Sequence, residues 1–261
     1  MADLGYLSQK IGGAIDKILC ENFDKRSRAL PAGRYVSLCF DDFPQSAARL
    51  AAPMIEKRDW RATWYVSGSF EGKVTPEYGR MFEASDIQQL LQNGHDFGCH
   101  TYDHLDCTEA NAEELAAQAE RSKHFLTKRG VHDIRSFAFP FGAVDLPTKR
   151  LMGQSKLALR GVKPGLNRGN VDLNMLKACG LQDNEGGTAR ALHELQTLQQ
   201  QDGWLIIFTH DVRAKPSPWG VKPTVYANLL NAIEQSDAEV ITVGDMVNRI
   251  ESTHSAMREA A

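Results

Sequence analysis

The sequence predicts an α/β fold whose mostly parallel sheet curves into a barrel. Short apolar runs alternate with segments of helical periodicity along most of the 261 residues. The runs at 35–40 and 204–209 are apolar at nearly every position rather than every second one. Strands buried on both faces read this way, and they belong to parallel sheets covered by helices. Seven or eight such strand–helix units follow one another, which suits a barrel better than an open sheet.

Composition agrees with one folded body. Hydrophobic residues make up 42% and charged residues 24% of the chain, with a net charge of −3. That balance argues against nucleic acid or an anionic membrane surface as a partner. No stretch approaches a transmembrane span.

The elements follow in order. Leu4, Leu7, Ile11, Ile15, Ile18 and Leu19 recur at helical spacing over residues 4–22. They predict an amphipathic helix docked on the body or on a second copy, a candidate homodimer contact. Pro31-Ala32-Gly33 breaks the chain before the first strand, 35–40. Helix 46–58 carries Pro53, which predicts a kink or register irregularity. Strand 61–66, helix 85–92 and strand 96–99 come next, then the long helix 109–129, which Gly130 stops. Strand 134–139 closes at Pro140-Phe141-Gly142. Weaker strands are expected at 157–162 and 171–178. Helix 188–201, strand 204–209, helix 223–235, strand 239–243 and helix 244–251 complete the body, and residues 254–261 are expected to fray. The domain reading is a helical extension at 1–30, a barrel at 31–252 and a tail at 253–261.

The N-terminus lacks a basic region followed by an uncharged apolar run. Five cysteines, Cys20, Cys39, Cys99, Cys107 and Cys179, show no paired spacing. Together these predict reduced thiols and a cytoplasmic location.

In a parallel barrel, chemistry sits where strands end at their C-termini. The first strand ends at Asp41-Asp42, two adjacent carboxylates that are costly beside a buried strand unless something uses them. If the chain bends there, one can bind a metal while the other holds a water. The third strand runs into His100-Thr101-Tyr102-Asp103-His104. Read as one helical turn, this puts two imidazoles on one face, and imidazole suits zinc, iron, nickel and copper. Asp42, His100 and His104 then form a facial ligand set with positions left open, and Asp41 becomes the general base. His210 follows strand 204–209, where an imidazole can act as a general acid. The turn at Phe141 places backbone N–H groups where they can help hold an oxyanion, although Pro-x-Gly more commonly marks a plain strand-to-loop turn.

This arrangement resembles the polysaccharide deacetylases of carbohydrate esterase family 4, which share the NodB homology domain. The matching segments are Cys39-Phe40-Asp41-Asp42, His100-Thr101-Tyr102-Asp103-His104, Phe137-Ala138-Phe139-Pro140-Phe141-Gly142 and Ile207-Phe208-Thr209-His210. The likeness spans roughly residues 35–250. It implies a distorted (β/α)7-type barrel that removes an N-acetyl group from an amino sugar. It further implies Asp42, His100 and His104 as ligands of a divalent metal, usually Zn²⁺, with Asp41 as base. The Phe141 N–H would support the oxyanion and His210 would protonate the amine. A saccharide precursor in surface-polysaccharide assembly, of the kind met in lipopolysaccharide biosynthesis, is the expected substrate. An amide or imide hydrolase acting on a non-sugar, or an inactive sugar-binding module, is the alternative.

Two features depart from the family pattern. The third motif usually carries an Arg that orients the catalytic Asp, and Ala138 stands there. Arg160 and Lys163, near the next strand end, are the expected substitutes. The Asp that tunes the acid histidine is expected at Asp183 rather than Asp172. Trp219, in the proline-stiffened loop after His210, is a candidate to stack on a pyranose. Arg160, Lys163 and Asp183 join it as candidate substrate-site residues.

Overall fold

The computed structural model describes residues 15, 16 and 18–259. Its strands are β1 (Ser27–Ala29), β2 (Arg34–Phe40), β3 (Thr63–Val66), β4 (Val74–Thr75), β5 (Gly79–Arg80) and β6 (Asp96–Cys99). They continue with β7 (Ser136–Ala138), β8 (Ala158–Arg160), β9 (Asn170–Asp172), β10 (Cys179–Gly180), β11 (Gly203–Thr209) and β12 (Glu239–Val240). The main sheet has the order β10-β11-β2-β3-β6-β7-β8, and every pairing in it is parallel. β12 also joins β2 in parallel. β2 has two partners along one edge: β12 beside Tyr35 and Val36, and β3 beside Cys39 and Phe40. The sheet curls into a half-barrel that opens between β8 and β10. The predicted α/β barrel-type fold with a mostly parallel sheet is what forms.

The apolar runs are continuous because the strands feed two cores in alternation. Val36, Leu38 and Phe40 of β2, with Leu205 and Ile207 of β11, face outward beneath helical residues such as Ile55, Leu195 and Leu229. Tyr35, Cys39, Trp204, Ile206 and Phe208 face the interior, which Met246, Val247 and Ile250 of the closing helix plug from one end. The buried Ser37 hydroxyl satisfies two groups inside that lumen. It donates to the Ile241 carbonyl at 2.6 Å and accepts from Trp204 Nε1 at 2.9 Å.

Several expectations are refined. Ahead of Pro53 the chain takes a π-helical turn, Ala47–Ala51, before the short helix Ala52–Glu56. Proline has no N–H for the regular ladder, so the register shifts locally. The strand expected at 171–178 is instead the short β9, antiparallel to β1, followed by a single parallel bridge from Leu176 to Arg160. Helix Leu146–Gly153 has no counterpart in the sequence reading. Asp145 caps it by accepting from Thr148 N, and a proline sits in its first turn. The closing helix runs Val243–Glu259, past both the expected end at Glu251 and the start of the expected frayed tail. Intrahelical bonds such as Thr253 Oγ1 to the Arg249 carbonyl support the extension.

Of the helix expected at 4–22, residues 4–14 and Lys17 lie outside the described residues. The described remainder is helical to Asn22. Lys149, fully buried, pins this segment to the body. Its Nζ donates to the carbonyls of Cys20 and Phe23 and pairs with Asp172 at 2.6 Å. No helix among the described residues is long and apolar enough to cross a membrane.

At the N-terminal end of β6, Asp96 accepts from Thr63 Oγ1 and Gly244 N, each at 2.9 Å. Burial nevertheless raises its carboxyl to about 6. The folded chain therefore holds that proton more tightly than the unfolded one, and stability falls as pH climbs from about 4 through 6. Asp96→Asn removes this dependence. Urea unfolding should show its stability relative to wild type rising by about 3 kcal/mol between pH 4 and pH 7. A flat difference would contradict the assignment.

Candidate active site

Because the sheet is parallel, the C-terminal ends of β2, β6, β7, β8 and β11 meet at one rim. Asp41 and Asp42 follow β2, His100 follows β6, Phe141 lies just beyond β7, Arg160 ends β8, and His210 follows β11. The backbone there is forced into unusual conformations. Asp42, Phe43, Thr101, His104 and Phe141 all have φ between 54° and 62° without being glycine. Left-handed residues of this kind are costly and cluster where a site needs them.

The bend at Asp42 and Phe43 separates the paired carboxylates. Asp41 turns into the interior and Asp42 faces the two imidazoles. His100 and His104 do not share a helical turn, which corrects the sequence reading. Thr101 and His104 are both left-handed, and the segment is an irregular loop. It still brings the rings together, with centroids 5.0 Å apart.

Asp42 Oδ1 lies 3.0 Å from His104 Nε2 and 3.4 Å from His100 Nε2. Among the described residues, Asp42 Oδ1 has no hydrogen bond of good geometry. One ligand atom from each of Asp42, His100 and His104 lies within 4.8 Å of the others. These three groups converge on a shared space rather than satisfying one another, which is what a divalent cation needs. His100 Nδ1 meets the Ala138 carbonyl at 2.8 Å, so this ring nitrogen carries the proton and Nε2 is left with a lone pair that could ligate a metal. Burial works against charge on Asp42, but the His100 and His104 imidazoles outweigh it and hold the carboxyl well below the usual carboxylate range.

Asp41, 3% exposed, is held by Arg160, which is completely buried. Arg160 Nη2 donates to both carboxylate oxygens, at 2.6 and 2.7 Å, and its Nη1 reaches the Gly161 carbonyl at 3.3 Å. The guanidinium also lies 4.9 Å from the Tyr65 ring centre and 4.6 Å from that of Phe208. Burial opposes the Arg160 charge, yet Asp41 keeps its pKa raised. In the sheet register Arg160 is the direct cross-strand partner of Ala138. The guanidinium that Ala138 cannot supply thus comes from one strand over. Arg160 cannot also contact substrate, because none of it is exposed.

Lys163 is not the partner of Asp41. Its Nζ pairs with Glu21 at 2.5 Å, since its side chain leaves the strand end toward the N-terminal helix. Arg135 pairs with Asp133 at the surface. Asp183 is also corrected: its carboxylate binds Lys222 Nζ at 2.7 Å. Asp172 is engaged by Lys149 and the Arg26 N–H. Among the described residues, His210 Nδ1 has no hydrogen-bond partner. The neighbouring Asp211 is consumed by its own loop, accepting from Ser217 N at 3.0 Å and pairing with Arg213 Nε at 2.6 Å. Gly220 packs so close that a Cβ there would lie 2.1 Å from Asp211 Oδ1.

His210 Nε2 stands 3.8 Å from Asp42 Oδ2, across from His100 and His104. Phe141 is 69% exposed, and its ring meets His104 edge to face at 4.4 Å. Trp219 is 43% exposed and 6.3 Å from His210, at the mouth of the site. Tyr78 was missed by the sequence reading. It rides on the β4–β5 hairpin and stacks on His210 at 5.6 Å and 11°. Two-residue strands leave no periodic signal, so nothing in the sequence marks it. Burial, and after it the Asp42 carboxylate, push the Tyr78 hydroxyl well above its ordinary pKa. Cys39 is fully inside, where burial raises its thiol well above the ordinary value. Cys99 is also buried and raised. Both pack as small apolar groups.

The polysaccharide deacetylase family profile matches residues 29–159, just over half of the chain. A bifunctional xylanase/deacetylase of Pseudobutyrivibrio xylanivorans is 23% identical over 198 residues, which is 76% of this chain and 28% of that protein. Chitin deacetylase 1 of Saccharomyces cerevisiae is 29% identical over 124 residues, 48% of this chain and 37% of that one. The chain thus spans about a third of the length of these curated relatives. Among solved structures, the chitin deacetylase of Colletotrichum lindemuthianum superposes with a TM-score of 0.59 at 15% identity, over 84% of this chain and 89% of its own. A family 4 acetyl xylan esterase from Clostridium thermocellum, in complex with a cobalt ion, gives 0.59 at 18% identity over 82% and 91%. At these identities the superpositions establish the shared fold.

Proposed function

Since the chain belongs to the polysaccharide deacetylase family, we propose that it hydrolyses an N-acetyl group on an amino sugar, releasing acetate and a free amine. The observation that carries this reading is the Arg160–Asp41 pair standing beside Asp42, His100 and His104, with His210 opposite. The Asp-His-His set is a carboxylate-imidazole donor set of the kind that zinc accepts. A divalent cation there, Zn²⁺ in our reading, supplies Lewis acidity and a lowered pKa for water. The cobalt ion in the Clostridium thermocellum esterase supports a transition metal in this fold.

The protein's own groups perform the remaining steps. Asp41 accepts the proton of the attacking water as the new C–O bond forms. Arg160 fixes both of its oxygens, so the carboxylate meets the water in one orientation. The left-handed turn at Phe141 gives an N–H to the oxyanion that develops on the acetyl carbonyl. As the C–N bond breaks, His210 passes its proton to the sugar nitrogen. The exposed rings of Phe141 and Trp219 offer apolar faces to a pyranose at the mouth. In our reading the substrate is a saccharide precursor of a surface polysaccharide, met in the cytoplasm. The Arg160–Asp41 pair supports an active enzyme over an inactive sugar-binding module, whose main support was the alanine at 138.

Acetate release from N-acetylglucosamine oligomers, measured with zinc present, tests the proposal. Wild type should release acetate, and Asp41→Asn should lose at least ~10²-fold in kcat, the low end of general-base contributions. Hydrolysis confined to small cyclic amides would contradict the sugar assignment.

A further inference from the structure

A histidine that donates a proton to a leaving group must keep its ring in one plane. The usual device is a hydrogen bond from its second nitrogen to a carboxylate or carbonyl. His210 has none, for its buried Nδ1 is unpartnered among the described residues. The nearby carboxylates are committed elsewhere, Asp183 to Lys222 and Asp211 to Ser217 and Arg213. Aromatic rings surround the imidazole instead. Tyr78 stacks nearly parallel at 5.6 Å, Trp219 lies tilted at 6.3 Å, and the edge of Phe208 approaches at 6.3 Å. Tyr78 and Trp219 also touch each other, with centroids 6.3 Å apart.

The hairpin that carries Tyr78 is tied down from the same loop that follows His210. Arg213 Nη1 donates to the Tyr78 carbonyl at 2.9 Å, and its Nη2 donates to the Glu77 carbonyl. The same guanidinium pairs with the fully buried Asp211. The hairpin is anchored at its other end by the Pro44–Met81 bridge, next to Asp41 and Asp42.

We propose that Tyr78 is a positioning residue whose ring, latched over the site by Arg213, sets the plane of the His210 imidazole in place of a carboxylate. The proposal rests on His210 being the acid. It concerns the ring of Tyr78 rather than its hydroxyl, since the ring is what stacks.

The test compares two acetyl substrates under saturating zinc. One is an N-acetylglucosamine oligomer, whose amine leaves only with a proton. The other is 4-nitrophenyl acetate, whose phenolate leaves without one. Tyr78→Leu should lower kcat on the amide about 10- to 100-fold with KM changed less than threefold, and leave the ester rate within about threefold of wild type. Tyr78→Phe keeps the ring, so its amide-to-ester rate ratio should stay within about threefold of wild type, whatever the loss of the hydroxyl beside Asp42 does to both rates together. Equal loss on both substrates in Tyr78→Leu, or a Tyr78→Phe whose amide-to-ester ratio falls as far as that of Tyr78→Leu, would overturn the proposal. His210→Ala separates the two levels of the argument. Loss on the amide alone upholds His210 as acid, and an unimpaired Tyr78→Leu beside it then refutes the role of Tyr78 only. Loss on both substrates in His210→Ala refutes the acid assignment itself and the proposal with it.

Discussion

Arg160→Met should destabilise the protein by about 3–5 kcal/mol and abolish hydrolysis. The side chain has no exposed surface, and its Nη2 is shared between the two oxygens of Asp41, which is 3% exposed. Removing one member of such a pair strands the other as an uncompensated buried charge, and that penalty dominates the loss. Methionine keeps much of the volume between Tyr65 and Phe208, so the cavity contribution is small. The pairing also predicts a rescue. In Arg160→Met/Asp41→Asn neither charge is stranded, so stability should exceed that of either single variant and return to within about 1–2 kcal/mol of wild type. Chemical denaturation of the four proteins gives the coupling energy directly. Additive losses would mean that Arg160 and Asp41 do not act as a pair. The activity readout differs, because neither the single nor the double variant has an oriented base.

Removing the metal should have the next largest effect. A chelator such as EDTA should stop acetate release, and added zinc should restore it. Binding to the folded chain alone stabilises it by RT ln(1 + [L]/Kd), about 2.7 kcal/mol when the free metal is a hundredfold above Kd. Melting should therefore rise on zinc addition in wild type and stay unchanged in Asp42→Ala. In that variant activity should fall by more than the ~10–100-fold that losing an outer partner of a metal ligand costs. Asp42 is suited to the role because His100 and His104 hold it ionised well below neutrality, so it competes for the cation without first losing a proton. Chelator-resistant activity would contradict a metal-assisted reaction.

The order of strands and the identity of the rim were legible in the sequence because buried parallel strands leave long apolar runs and end on polar residues. Asp41, Asp42, His100 and His210 were found that way. The expectation that Arg160 replaces the motif arginine was also legible, since it ends the strand after Ala138. The register pairing of the two residues gives the reason. Elsewhere strand-end reasoning failed for want of direction. Lys163 and Asp183 both lie near strand ends, yet their side chains turn to Glu21 and Lys222. Position along a chain does not say which way a loop residue points. The His100–His104 spacing suggested a helical turn, and the two rings converge instead through two left-handed residues that no periodicity announces. Tyr78 was invisible for a related reason. Its hairpin is held by Arg213, 135 positions away, and only the folded chain brings the two together.

Asp42, His100 and His104 are expected to bind one divalent cation while Asp41 beside them does not. Metal content after zinc loading and desalting, measured on wild type, Asp42→Ala, His104→Ala and Asp41→Asn, tests it most directly. One ion per chain is expected in wild type and in the inactive Asp41→Asn, and close to none in Asp42→Ala and His104→Ala. A wild type without zinc, or ligand variants that retain a full ion, would contradict the account.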